Sequence, residues 1–135
     1  MRTERELHLS ATADGARHAA LAARDLLQRI DPALAMACEL AVMEACANVV
    51  EHAYGNRGGS LRVVLRLRPG SFSVAICDEG TPFDGAAHDA SLPDASAEGG
   101  RGLALLYGCM DRLEWRRTDG ENRLLMTRSL MDLAA

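Results

Sequence analysis

The stretch Glu44-Ala-Cys-Ala-Asn48-Val-Val-Glu51-His52-Ala-Tyr54 sets Glu44, Asn48, Glu51 and His52 at helical spacing into a run of small apolar residues. A carboxylate and an amide one helical turn apart can present two oxygens to a single ligand. The amide oxygen of Asn48 suits Mg2+ and the surroundings of phosphate, and Glu44 can orient or deprotonate a hydroxyl. Taken alone, E-x-x-x-N is most often a solvated helix face. Such a face normally carries Lys, Arg, Gln and Glu, whereas Ala37, Leu40 and Ala41 share this one. Small side chains at those places let a ligand approach the helix closely.

Two further stretches carry related chemistry. In Asp78-Glu-Gly80-Thr81-Pro82-Phe83 the carboxylate continues the buried parity of Phe72, Val74 and Ile76. A carboxylate facing the core needs a donor, and the exocyclic amine of a nucleobase would serve. D-x-G after a strand is also an ordinary turn in which glycine supplies positive φ. Gly99-Gly100-Arg101-Gly102 leads into a segment with Leu103, Leu106, Tyr107 and Met110 on one helical face. Glycines there let backbone N–H groups reach phosphate, the helix N-terminus favours the anion, and Arg101 adds a cation. A glycine-rich lead-in to a helix is also a common loop.

The elements that must hold these groups are legible from periodicity. Arg5 to Ala11 alternates, with Leu7 and Leu9 on one side, and reads as an opening strand. Asp14 is placed to cap a helix carrying Ala19, Ala20, Ala23, Leu26, Leu27 and Ile30 on one face. Asp31-Pro32 then offers an N-cap followed by proline at the first helical position, and this second helix should run to about Tyr54. At about 100° per residue, its core stripe is Val42, Cys46, Val49 and Ala53, with Glu44, Asn48 and Glu51 opposite, alongside Ala37 and Ala41. Leu61, Val63, Leu65 and Leu67 alternate with Arg62, Arg66 and Arg68, and Pro69-Gly70 turns the chain into the Phe72–Asp78 strand. From Thr81 to Glu98 periodicity disappears, as expected of a functional loop or lid or of disorder. Arg112 to Arg117 and Arg123 to Leu130 form a closing hairpin around Asp119-Gly120. The expected fold is α+β: a two-layer sandwich, a mixed, mostly antiparallel sheet with helices on one face, as one domain over residues 1–135.

Composition narrows the chemistry. The chain has 135 residues, 48% of them hydrophobic, enough for one domain with a sizeable core. Its net charge of −4 offers no basic stripe for nucleic acid. All 15 basic residues are arginine, which excludes a Walker-A lysine and Schiff-base chemistry. The 4 cysteines form no C-x-x-C pair and sit in apolar runs, where they are expected to pack as small hydrophobes. No long apolar run reads as a membrane span, and Arg2, Glu4, Arg5 and Glu6 leave no signal peptide, so a cytoplasmic location is expected, with no membrane and no direct nucleic-acid contact.

In this order the three stretches resemble the GHKL ATPases, the superfamily of gyrase and histidine-kinase ATP-binding domains. Within these the chain is most similar to the stand-alone serine/threonine-protein kinases that act as anti-sigma factors in bacterial partner switching. The resemblance runs from about Leu7 to Leu130. It rests on an N-box at Glu44–Tyr54, a G1 box Asp78-Glu-Gly80-Thr-Pro82-Phe83-Asp84 and a G2 box Gly100-Arg101-Gly102-Leu103. Pro82 stands where the wider superfamily often has a second glycine. The resemblance implies ATP and Mg2+ as cofactors. Asn48 would coordinate the metal, Glu44 would act as general base on a serine hydroxyl, and Asp78 would accept from the adenine amine with Gly80 giving the base room. Thr81 to Glu98 would be the ATP lid, and Gly100, Arg101, Gly102 and Leu103 would lie at the nucleotide. For Arg101 both phosphate and a protein partner remain open, and for His52 both a structural hydrogen bond and nucleotide contact.

The function implied is an ATP-dependent protein-serine kinase that phosphorylates a STAS-domain anti-anti-sigma protein and sequesters a sigma factor, as a homodimer. Two alternatives stand beside it: an ATP-gated binding regulator without transfer, and a partner-switch kinase whose target is not a sigma factor. A histidine-kinase fragment is disfavoured, because no phospho-acceptor histidine has its helical setting.

Overall fold

Alternation in the strands and a three-sided burden on one helix decide the architecture. The structure, a computed structural model, describes residues 2–82 and 98–130, with backbone only for 98–101. In chain order the elements are β1 (Thr3–Ser10), α1 (Ala13–Leu27), α2 (Pro32–Asn48), a π-helical turn (Val49–Ala53), β2 (Ser60–Arg68), β3 (Ser71–Asp78), α3 (Glu98–Cys109), β4 (Arg112–Thr118) and β5 (Glu121–Ser129). They form a 5-stranded sheet in the order β1-β2-β3-β5-β4.

Every described pairing is antiparallel, so the expected mixed sheet is wholly antiparallel here. The cause lies in the connections. One helix between neighbouring strands makes a parallel crossover, but α1 and α2 together return the chain to the end it left, and β2 therefore runs against β1. The β4–β5 hairpin turns at Asp119 (φ 52°) and Gly120 (φ 80°), the left-handed pair that a two-residue hairpin loop requires.

The helices cover one face. Leu61, Val63 and Leu65 of β2, Phe72, Val74 and Ile76 of β3, and Met126 of β5 form one core with the buried sides of α1, α2 and α3. On the other face a small cluster of Val64, Ala75 and Cys77 lies among charged residues, with Arg62 paired to Glu121 at 3.1 Å and Arg66 to Glu4 at 3.4 Å.

The caps are local. Thr12, rather than Asp14, caps α1, its hydroxyl accepting from Gly15 N at 3.1 Å. Asp14 stands in the first turn, where its charge still favours the helix dipole. Asp31 caps α2 as expected, accepting from Ala33 N at 3.0 Å and Leu34 N at 3.3 Å ahead of Pro32.

Helix α2 is apolar nearly all round because α1, α3 and the sheet each take a side of it. With the π-helical turn it reaches 22 residues at mean hydropathy 1.6, the length and composition of a membrane span. Burial of Cys38, Ala41, Val42, Ala45 and Cys46 in the core accounts for that composition instead. Ala41 is therefore packed and not part of an open polar face. Among the described residues all four cysteines are free thiols, and burial pushes Cys38 and Cys46 up to about 12.

Candidate nucleotide-binding site

The end of α2 and the ends of β3 and β5 converge on a cleft of about 300 Å3. That is the low end of the size of small-molecule sites. Its helical wall is Ala45, Asn48, Val49, His52 and Ala53, and its sheet wall includes Ile76, Asp78, Trp115 and Leu124. Leu103 and Leu106 of α3 close the apolar side.

The helical wall differs from the expected stripe for a geometric reason. The π-helical turn carries an i→i+5 bond, Tyr54 N to Val49 O at 3.1 Å, which shifts the phase of the last turn. Val42 and Cys46 stay in the core, while Val49 and Ala53 face the cleft. The small residues that open the wall are thus Ala45 and Ala53, and Ala37 and Ala41 do not line it.

Asp78 is the polar centre of the sheet wall. It is 5% exposed, and its Oδ1 accepts from Gly80 N at 2.9 Å and from Asn122 Nδ2 at 2.8 Å. Asn122, 6% exposed, lies directly across the β3–β5 ladder from Asp78 and also donates to Thr81 O at 2.9 Å. Arg117 Nη1 donates to Asn122 Oδ1 at 2.9 Å and to Gly80 O at 3.0 Å. Asn122, Arg117 and Trp115 belong to none of the three sequence stretches that carry the chemistry. Asn122 shares the buried parity of Leu124 and Met126, the signal that marked Asp78.

Gly80 has a packing reason of its own. A Cβ there would strike the Ala53 carbonyl, and Thr81 N donates to that same carbonyl at 2.8 Å. The turn after β3 is thereby seated on the π-helical turn. Tyr54 ties the same two elements, its hydroxyl donating to Ser60 O at 2.7 Å and accepting from Glu79 N at 2.8 Å.

Glu44 is half-buried and stands beside the cleft, not in its lining. A Cβ on Gly102 would run into its carboxylate, so α3 approaches the Glu44 side chain as closely as glycine permits. Gly100 and Gly102 lie within the first turns of α3, which begins at Glu98, and so the glycines do not precede the helix. The side chain of Arg101, and Phe83, Asp84 and the rest of the lid to residue 97, lie outside the described residues. His52 lines the cleft, is exposed, and pairs with Glu51 at 4.0 Å.

A slot with apolar walls and a buried carboxylate at one end fits a flat heterocycle carrying an amine. Among the described residues no three His, Cys, Asp or Glu could hold a metal together. A Mg2+ ion beside Asn48 would therefore take most of its oxygens from phosphate and water, as Mg2+ commonly does.

The fold and this cleft agree with the comparison to family models: residues 9–128 match the histidine kinase-like ATPase domain, and the chain belongs to that family. The family's ligand is ATP. Among curated proteins the chain is similar to the serine-protein kinase RsbW of Halalkalibacterium halodurans, 37% identical over 61% of this chain and 55% of that protein. It is also similar to the serine-protein kinase RsbW of Bacillus thuringiensis, 31% identical over 67% of this chain and 61% of that protein. The matched region thus spans less than two thirds of either relative's length. Among solved structures, the RsbU and RsbW domains of Rv1364c from Mycobacterium tuberculosis superpose with TM-score 0.67 at 21% identity, covering 94% of this chain and 32% of that one. That likeness is one of fold.

Proposed function

We propose that the chain is one ATP-binding domain acting as a protein-serine kinase in a partner switch. Its acceptor is a serine of a STAS-domain anti-anti-sigma protein, and it sequesters a sigma factor. The observation that carries this reading is a buried carboxylate, Asp78, in a cleft whose helical wall holds Asn48, with Glu44 one helical turn before it beside the lining. The names of the two curated relatives support the reaction class.

Asp78 accepts from the adenine amine, and Asn48 supplies an oxygen to Mg2+. Gly100, Arg101, Gly102 and Leu103, in the first turns of α3, would lie at the nucleotide, near the helix end whose dipole favours its phosphates. When bound there, Mg·ATP would supply the phosphoryl group, with ADP leaving. Glu44 takes the proton of the serine hydroxyl, and the rest of the acceleration comes from positioning and electrostatics. The protein works in the cytoplasm, as a homodimer joined through the sheet face away from the helices.

A second reading has an observation in its favour. Glu44 stands against Gly102 beside the cleft lining, which suits an ATP-gated binding regulator that transfers nothing. A third keeps the kinase and changes the target. A pull-down from the native cell with and without ATP, followed by mass spectrometry of partners and phosphoserines, separates the three. A sigma factor with a phosphoserine-bearing partner is the expected result. Partners without ATP-dependent phosphoserine support the second reading, and failure to bind Mg·ATP sinks all three.

A further inference from the structure

We infer that Asn122 and Arg117 are the residues that make the cleft select adenine over guanine. This rests on the reading of the cleft as an ATP site with the base at Asp78. A carboxylate alone does not choose between these bases. Its two oxygens can accept one bond from the single amine of adenine, or two parallel bonds from the N1–H and amine of guanine.

Here Oδ1 of Asp78 is already filled. Gly80 N at 2.9 Å and Asn122 Nδ2 at 2.8 Å occupy both of its lone pairs. Among the described residues Oδ2 is left for a ligand, so the carboxylate cannot give the two parallel bonds, one from each oxygen, that the N1–H and amine of guanine require. Guanine would have to crowd both donors onto Oδ2 at poor angles or bury one of them unpaired, and either is penalised against the single well-aligned amine bond of adenine.

The orientation of the Asn122 amide is forced by its neighbours. Arg117 has donors only, so the side of Asn122 at 2.9 Å from Nη1 must be its oxygen. The amide nitrogen then faces two acceptors, Asp78 Oδ1 and Thr81 O. Arg117 is held in turn by Gly80 O at 3.0 Å, which closes the ring onto the turn that carries Asp78. These are positioning residues: they act on the base through Asp78.

The test is the ratio of ATP to GTP affinity, measured by titration calorimetry on the full chain, with circular dichroism to confirm folding. The ratio is a readout that general loosening of the cleft does not move in one direction. Asn122→Leu removes the donor at similar size and is expected to lower the ratio at least about 10-fold, equivalent to about 1.4 kcal/mol. Arg117→Met, which frees the amide to turn over, is expected to lower it as well, while Arg117→Lys keeps a donor and preserves most of it. An unchanged ratio in Asn122→Leu, with ATP still bound, overturns the inference. If that variant does not fold, equal ratios in Arg117→Met and Arg117→Lys overturn it. Wild-type protein that binds neither nucleotide overturns the ATP reading itself, a separate outcome.

Discussion

At the Asp78 end of the cleft, Asp78, Gly80, Thr81, Asn122 and Arg117 are joined by hydrogen bonds of 2.8, 2.9 and 3.0 Å, and the two central residues are buried. At the Glu44 end, Glu44 and Asn48 are half-buried, and His52 is exposed with its Nε2 4.0 Å from the Glu51 carboxylate. One end is hydrogen-bonded within the chain, and under the proposed function the other is completed by the ligand. Preorganisation at the base end lowers the ordering cost of binding. Openness at the far end is what a second substrate, a protein hydroxyl, requires.

If that division is right, substitutions at the open end should cost rate and those at the closed end should cost affinity. The largest effect is expected from Glu44→Gln. Phosphoryl transfer to the partner serine should fall by about 10²–10⁴-fold, the usual weight of a general base, while ATP affinity stays within about 3-fold. Radiolabel transfer and calorimetry on the same preparation read the two quantities. Transfer at the wild-type rate would falsify the role given to Glu44.

Next is Asp78→Asn. The amide can still accept from Asn122 and Gly80 through its oxygen, but it then turns an N–H2 toward the adenine amine. Donor faces donor, and ATP should bind about 10²-fold more weakly, near 3 kcal/mol. The melting temperature without ligand should move far less than the affinity does. Equal losses in stability and affinity would erase the distinction between the two ends.

Gly80→Ala tests the seating of the closed end. Its Cβ would meet the Ala53 carbonyl, a backbone atom that cannot swing aside. Overpacking of this kind costs about 2 kcal/mol, or roughly 8 °C in a thermal melt. The contrasting substitution is Gly102→Ala, whose Cβ meets the far end of the Glu44 side chain. That side chain can rotate away, so stability should hold while transfer falls. A reversed pattern, with Gly102→Ala unstable and Gly80→Ala tolerated, would contradict the geometry.

How much of this was legible in the sequence follows the same line. Asp78 betrayed itself by breaking an apolar alternation, and the Asp31-Pro32 cap depends on adjacent residues alone. Asn122 breaks its alternation in the same way, but it follows Asp119-Gly120-Glu121 and so reads as the end of a turn. Its meaning lies in the ladder to Asp78, 44 residues earlier, and no local pattern carries that pairing. The helix wall departs from the ideal stripe because Val49 follows Ala45 by one ordinary turn and so borders both core and cleft, while the π-helical turn after it brings Ala53 round to the cleft. Ala41 looked open because its packing against neighbouring helices is a tertiary fact. The antiparallel sense of β1 and β2 depends likewise on two helices being counted as one return.

The smallest expected effect belongs to the residue that joins the two ends. Tyr54 closes the N-box helix, and its hydroxyl bridges Ser60 O and Glu79 N, next to the turn that holds Asp78. Both bonds are solvent-exposed, so water can replace the hydroxyl in part. Tyr54→Phe keeps the ring that packs beside Gly59 and removes the bridge alone. The loss should be about 1 kcal/mol of stability, a melting temperature lower by roughly 4 °C, and ATP affinity within about 3-fold of wild type. Asp78 should hold its place because Asn122 and Gly80 anchor it independently of the tyrosine. A fall in ATP affinity of about 10-fold or more in Tyr54→Phe would mean that the base end borrows its order from the helix, and that the two ends are one cooperative unit.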